Sequence, residues 1–384
     1  MLKKFLYFIV LICFAPLIMW LLWLFTPKTK LVAAIIDKTV LTKEGQEHSS
    51  LYWVLNQEKY SKTSKNSYKI DRDYFGFFPF EDEKFKLKGL ERFTGNQINQ
   101  LSKDADLVYF TDTYGIYNNE WFQKKNVNER SGMLYGGLSI KDVDLARAMK
   151  VQKKLIIAEF NTIGDPTDST ARAGFEEEFA IHWTGWTARH FESLDTMINM
   201  ELPHWLINNY KRQHQNQWPF KKAGIAFVSN KDRVVILEDG VHLSNPMPHI
   251  QTSTQGQKML GLPSEIKYPF WFDIIQYDTK INHSAANFKI SLNELGLSEL
   301  KKQGIPPVFP AITFHKGDDY RFYYFSGDFC DNPVSINSSY FKGVSYFRWM
   351  FYDDRDPMER HSFFWNYYRP LMTNILADYS VKKQ

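Results

Sequence analysis

The sequence has almost no cysteine. Its two, Cys13 and Cys330, are not expected to form an intrachain disulfide, because Cys13 lies inside an uncharged apolar run. Such scarcity leaves the compartment open, since envelope proteins avoid cysteine too. Runs of basic charge are missing as well. The net charge is only +4 and no basic block exceeds a few residues, so nucleic-acid binding has no electrostatic support. Short motifs of common chemistries are absent. The nucleophile turns G-x-C-x-G and G-x-S-x-G do not occur, nor do H-E-x-x-H, G-x-x-x-x-G-K-[ST] or G-x-G-x-x-G. No metal and no cofactor are therefore expected. D-x-D triplets do occur, as at Asp71 and Asp73, Asp104 and Asp106, and Asp142 and Asp144. A pattern with one free position arises often by chance, and the last of them falls on an expected helix. No internal repeat and no low-complexity linker interrupts the chain.

Aromatic residues are abundant at 16%, with 31 Phe, 21 Tyr and 11 Trp. That richness fits a core built of large side chains, or a surface that stacks on sugar rings or packs a partner. A second feature is the uncharged run over residues 5–25, flanked by Lys3 and Lys4 before it and Lys28 and Lys30 after it. A helix of that length spans roughly 30 Å, the thickness of a bilayer's hydrocarbon core. The run exceeds a cleaved signal peptide's apolar region and no small-x-small site follows it. Ile12 before Cys13 spoils a lipoprotein signal. Residues 1–30 are thus expected to form an uncleaved signal anchor, a single-pass transmembrane helix in the cell membrane. The short N-terminal flank is the more positive one and should stay inside, placing residues 31–384 outside the cytoplasm.

Past the anchor, "LVAAIID" reads as a strand and residues 42–60 as a helix capped by Thr42. "YFGFFPF" is a short aromatic strand or packed loop, and a helix near 96–103 leads into the strand "DLVYFTDT". Residues 139–154 form an amphipathic helix with Ile140, Val143, Leu145, Ala148 and Met149 toward the core. It feeds the strand "KLIIAEF", which is followed by a helix over 168–181. Apolar strands alternating with helices predict a mainly parallel sheet covered on both faces. The pattern then changes. Residues 223–240 and 309–329 read as β-hairpins, so an antiparallel β elaboration is expected around 216–330. A helical segment at 357–380 should be kinked or split by Pro370. The economical architecture is a single α/β domain over 31–384.

Polar residues recur where these strands end: Asp37, then Asp112 and Thr113, then Glu159, Asn161 and Thr162, and later Asp328, Asp331 and Asn332. In an open parallel sheet, ligands bind in the crevice outside the carboxyl ends of the strands. Each acid alone could simply cap the next helix. Several carboxylates on one edge repel one another unless a ligand, a cation or a protein base is shared among them. Arg172 and Arg189 are the nearest candidate counter-charges. Glu159 is expected to line the cleft beside Asp112, so that Glu159→Gln would abolish binding and leave the fold intact. The stretch "HWTGWTARHF" has two readings: a loop that displays Trp183 and Trp186 beside Arg189 as a platform for a sugar, or two core tryptophans.

The succession of "DLVYFTDTYGIY", "KLIIAEFNTIG" and "YYFSGDFCDN" resembles the class I glutamine amidotransferase-like fold. It looks most like the noncatalytic members found in bacterial envelope and sugar-processing proteins. The resemblance covers residues 31–200 and 305–335. Amidases of that family use a Cys–His–acid triad; where their nucleophile would be sought, this chain has Glu159, Phe160, Asn161 and Thr162. The resemblance thus implies a retained ligand cleft without amidase chemistry. Three functions follow as expectations. The first is an anchored envelope protein that binds a glycan or small polar ligand through Asp37, Asp112, Thr113, Glu159, Asn161, Trp183, Trp186, Arg189 and Asp328. The second is a hydrolase acting on glycans through Glu159 paired with Asp112 or Asp328. The third is a scaffold whose aromatics contact envelope proteins as partners.

Overall fold

The computed structural model describes residues 2–64, 66–123, 130–353 and 355–383; at 2–13, 123, 382 and 383 it describes the backbone alone. Its centre is a ten-stranded mixed sheet. Five adjacent strands are parallel: β1 (Ala33–Asp37), β2 (Phe75–Pro79), β3 (Leu107–Asp112), β4 (Leu155–Glu159) and β5 (Arg321–Phe325). They lie in the order β2-β1-β3-β4-β5. This is a doubly-wound order whose topological switch falls between β1 and β3. Antiparallel strands extend the sheet at both edges. Phe85–Leu87 pairs with β2, while Val308–Lys316, His283–Leu292, Leu243–Thr252 and Glu265–Lys267 follow in turn beyond β5. A second, four-stranded antiparallel sheet joins Val234–Glu238, Gly224–Ser229, Ile181–Phe191 and Phe272–Tyr277. The sheet is therefore mixed rather than mainly parallel, and the antiparallel part starts before residue 216.

Side chains alternate across the parallel strands with period two, and each set is buried by different partners. Ile35, Tyr109 and Ile157 pack with Leu51 and Trp53 of α2 (Gln46–Gln57). Leu371 and Ile375 of the C-terminal helix α6 (Arg369–Lys383) join the same face. Ile36, Phe110 and Ile156 pack instead with Ile98 of α3 (Gly95–Asp104), Val143 of α4 (Ile140–Val151) and Phe175 of α5 (Ser169–Phe179). Each such buried side chain contributes about 1.5–3 kcal/mol. Local signals set the helix starts. Thr94 with Gln97, and Ser139 with Asp142, form capping boxes, and Asp168 accepts from the backbone of Thr170 at 2.8 Å.

Several details differ from expectation. The helix expected from Thr42 begins at Gln46, because Gly45 turns the chain in the left-handed region. Ile140 is exposed in the first turn of α4 rather than in the core. Pro370 sits in the first turn of α6, immediately after a π-helical turn, Phe364–Tyr368, which absorbs its missing N–H. The stretch containing Trp183 and Trp186 is a continuous strand with a bulge between them at Gly185, φ +84°.

At the N-terminus, α1 spans Leu2–Phe25. Among the described residues no helix is long and apolar enough to cross a membrane. Part of the expected anchor, residues 5–13 with Cys13, lies outside the described side chains.

Candidate functional site at the switch point

β1 and β3 end side by side, with Asp37 opposite Asp112 in the register. The chain leaves β1 into a loop and then α2, whose first turn brings Glu47 and His48 over the same edge. β5 runs into a turn that adds Asp328 and Asp331. Parallel strands and a helix N-terminus thus converge five carboxyls at the switch point.

Each has a distinct environment. Asp37 is fully buried; its Oδ1 accepts from the Thr39 backbone at 3.0 Å, and its Oδ2 meets His48 Nδ1 at 2.6 Å. His48 Nε2 donates to the Ile70 carbonyl at 3.1 Å, which fixes the ring. Asp112 accepts from the Tyr114 backbone at 2.7 Å. Burial first, then the charges of Asp328 and Asp37, hold its carboxyl well above the usual range. Glu47 is raised too, by burial and then by Asp37, and its Oε2 is buried with no hydrogen-bond partner among the described residues. Burial and the neighbouring Asp331 push Asp328 up to about 7, against the pull of Arg360. Asp331 is half-buried, and Arg360 and Gln46 bring it below the usual range against the desolvation.

The counter-charge is Arg360. Its Nη2 donates to Asp328 at 3.0 Å, its Nη1 pairs with Asp331, and its guanidinium lies 4.1 Å over the Phe270 ring. Gln46 completes the clamp by donating to Asp331 at 2.7 Å. Arg172 and Arg189 do not take part. Arg172 is spent on the Ile163 carbonyl at 2.6 Å and on Asp165 at 3.0 Å, and Arg189 on Glu201 at 2.8 Å. Among the described residues no group of three or more His, Cys, Asp or Glu is disposed to hold a metal ion.

Glu159 does not line this cleft. It is fully buried beneath it, where its Oε2 accepts from the backbones of Phe329 at 2.6 Å and Cys330 at 2.9 Å, and its Oε1 pairs with the Tyr109 hydroxyl. The Tyr109 and Tyr368 hydroxyls lie 3.2 Å apart, and Tyr368 donates to Cys330 Sγ at 3.1 Å. Glu159 therefore ties the turn after β5 to the end of β4. Both of its oxygens are engaged by these structural partners. Cys330 is buried, and burial raises its thiol. Thr113 is also buried and donates to the Asn161 carbonyl at 3.0 Å. Asn161 adopts φ +65°, and its backbone donates to Asp273 at 3.1 Å. Burial pushes Asp273 up to about 7. Trp183 and Trp186 are only 4% and 3% exposed, so they form no displayed platform; Trp183 Nε1 donates to the Trp186 carbonyl at 2.9 Å.

Of the expected residues, the structure brings Asp37, Asp112 and Asp328 together and sets Glu159, Thr113 and Asn161 beneath or beside them. Trp183, Trp186 and Arg189 belong to the other sheet. Arg360, Glu47 and His48 are the residues that sequence reasoning missed. Glu47 and His48 had one available signal, their place in the first turn after the switch-point strand. Arg360 had none, because its partners lie about thirty residues away in sequence.

The class so defined is a doubly-wound α/β protein with a carboxyl-rich edge at its switch point. No family model matches the chain, and no curated protein matches it. Among solved structures it is similar to a β-galactosidase from Bacillus circulans sp. alkalophilus, at 10% identity and a TM-score of 0.34, over 78% of this chain and 30% of that one. A putative ThuA-like protein from Bacteroides uniformis is similar at 10% identity and 0.36, covering 84% and 93%. Another, from Parabacteroides merdae, gives 10% and 0.30, covering 78% and 79%. The chain spans less than a third of the β-galactosidase. These likenesses are too slight to assign the chain to any of them, and the fold described above rests on its own strand order.

Proposed function

We propose that the chain is a membrane-anchored, extracytoplasmic protein of the bacterial envelope, with amidotransferase-like architecture, that binds a glycan or a similar hydroxyl-rich ligand at its switch point without a covalent nucleophile. The uncharged run at 5–25 and its positive N-terminal flank support the anchor and its orientation. The strand order and the polar strand ends support the architecture. The observation that carries the ligand class is Glu47. A buried carboxyl oxygen without a partner is costly, and a ligand hydroxyl donating to it would remove that cost. Neighbouring carboxyls held above their usual range present both a donor and an acceptor, which is what a sugar hydroxyl complements.

The test is a glycan array followed by calorimetry on the full chain in detergent. Binding of an envelope glycan is expected, weakened about tenfold in Glu47→Gln, equivalent to about 1.4 kcal/mol. Binding to no glycan, or an unchanged affinity in the variant, would sink this reading. One observation favours a second reading, a hydrolase. Asp328 and Asp331 are neighbours whose environments push them in opposite directions, the pattern of an acid–base couple. Turnover of a bound glycan that is lost in Asp328→Asn would support that reading instead.

A further inference from the structure

The short 3-10 segment Val344–Met350 and the residue after it expose Tyr346, Phe347, Trp349, Met350 and Phe351 together. Tyr346 is 84% exposed and Trp349 67%. Single exposed apolar residues are ordinary, but a contiguous patch of large ones marks an interaction surface. The switch-point cleft does not use it, and the scaffold side is held in place from below. Val344 is buried in the core, and Phe351 stacks on Trp365 at 5.2 Å.

The position of the patch indicates what covers it. The last turns of α1 dock immediately beside it. The Lys342 backbone donates to the Met19 carbonyl at 3.0 Å, the Trp23 ring meets Tyr340 edge-on at 4.8 Å, and Trp23 Nε1 donates to the Asn56 carbonyl at 3.0 Å. Chain reach puts Tyr346 within about 14 Å of Lys342. Docking at Met19 also limits the anchor. From Phe5 to Ile18 an ideal helix rises only about 20 Å, short of the roughly 30 Å hydrocarbon core. A helix held to the body at Met19 spans a bilayer only if the adjoining surface of the body sinks into the headgroup region.

The chemistry of that surface suits the depth. Tyr and Trp favour the level of the headgroups. Phe and Met reach toward the acyl chains, while the exposed Arg348 extends its charge back toward phosphate. Leu22 and Phe25 of the docked helix α1 are exposed as well. Lys59, whose ammonium lies 3.6 Å over the Trp23 ring, adds positive charge beside the docked helix. We infer that residues 346–351 form a lipid-contacting face that seats the folded body in the outer headgroup–acyl boundary next to α1. This rests on the anchor reading given above.

The experiment uses the full chain with Cys13→Ser, reconstituted in nanodiscs of phosphatidylcholine and phosphatidylglycerol. A nitroxide is attached at Trp349→Cys and, separately, at Tyr346→Cys; buried Cys330 stays unlabelled. The exposed Val151→Cys, on α4 across the sheet, is the aqueous control. The expected result is collision with oxygen favoured over a water-soluble nickel chelate, by a ratio severalfold above that at position 151. A nickel accessibility equal to the control would overturn the inference, because the patch then faces water. Shielding from both reagents would overturn it as well, because another protein surface, such as a second copy, then covers the patch. Retention in the bilayer after alkaline carbonate extraction reports on the anchor separately. An anchored chain with an aqueous label overturns this inference and leaves the anchor reading standing.

Discussion

Along β4, Leu155 and Ile157 point to the α2 face of the sheet and Ile156 and Ala158 to the other. The same alternation sends Glu159 toward α2 and the C-terminal helix, where Tyr109 and Tyr368 wait. The sequence announces a carboxyl at this strand end, and parity alone gives its face. What parity does not give is depth, because the turn that covers Glu159 arrives about 170 residues later. Burial, outweighing the Tyr109 hydrogen bond, holds the Glu159 carboxyl well above its usual range, with the Asp328 charge adding to the rise. That rise favours the neutral form of the carboxyl, of which an amide is the close mimic. In Glu159→Gln the amide oxygen accepts from both backbone N–H groups, and the amide nitrogen donates to the Tyr109 oxygen. Stability within about 1 kcal/mol of wild type is expected for this variant, with ligand affinity unchanged. Glu159→Ala leaves two buried N–H groups unpaired and should cost roughly 2–5 kcal/mol. Urea titration compares the two. Equal destabilisation by Gln and Ala would mean that the carboxyl is ionised in the fold.

At the scale of elements, the helices were readable where a cap marks them, as at Ser139 and Asp168, and the hairpins where their turns do. Ile181–Phe191 was not readable as a strand, because the bulge at Gly185 breaks the alternation midway and puts both tryptophans in cores. Gly76 in "YFGFFPF" shows a glycine whose reason is visible only in the sheet. It lies opposite Asp37 in the β1–β2 register at φ +151°, and a Cβ there would fall 1.5 Å from the Asp37 carbonyl oxygen. Only glycine lets β2 approach the end of β1, and with it the edge that holds the cleft. Gly76→Ala combines a disfavoured backbone with overpacking and is expected to destabilise by about 3 kcal/mol. A urea midpoint within error of wild type would show that β2 yields without cost and that the close approach does not position the cleft.

For the whole molecule, the sequence indicates a wound sheet with acids at its strand ends, but not which strands become neighbours. The order β2-β1-β3-β4-β5 is set by crossovers that local pattern does not encode, and so is the meeting of Asp328 with Arg360. One bulk property follows from that assembly. Asp112 and Glu159 are held well above the usual range and Asp273 and Asp328 at about 7, with burial the first cause in each. In the unfolded chain all four are ionised at neutral pH. The fold therefore binds more protons than the unfolded chain, so its stability rises as pH falls and is lost as pH climbs through the folded values. Two histidines act in the opposite sense. His190 is lowered to about 4 and His242 is also lowered, both first by burial, so they weaken the fold as pH drops below the ordinary histidine value of about 6.5. Asp331, Glu91 and Glu178, held low, are ionised in both states until more acid conditions. Between about pH 8 and 6.5 the raised carboxyls thus set the sign, each extra bound proton contributing about 1.4 kcal/mol per pH unit. The urea midpoint of the full chain in detergent is expected to rise as pH is lowered across that window. Asp273→Asn keeps the side chain's shape and removes one proton that titrates near 7, so the rise should be smaller in that variant. A midpoint that stays level or falls over the same window, or a rise unchanged in Asp273→Asn, would mean that these carboxyls fold in their ionised form.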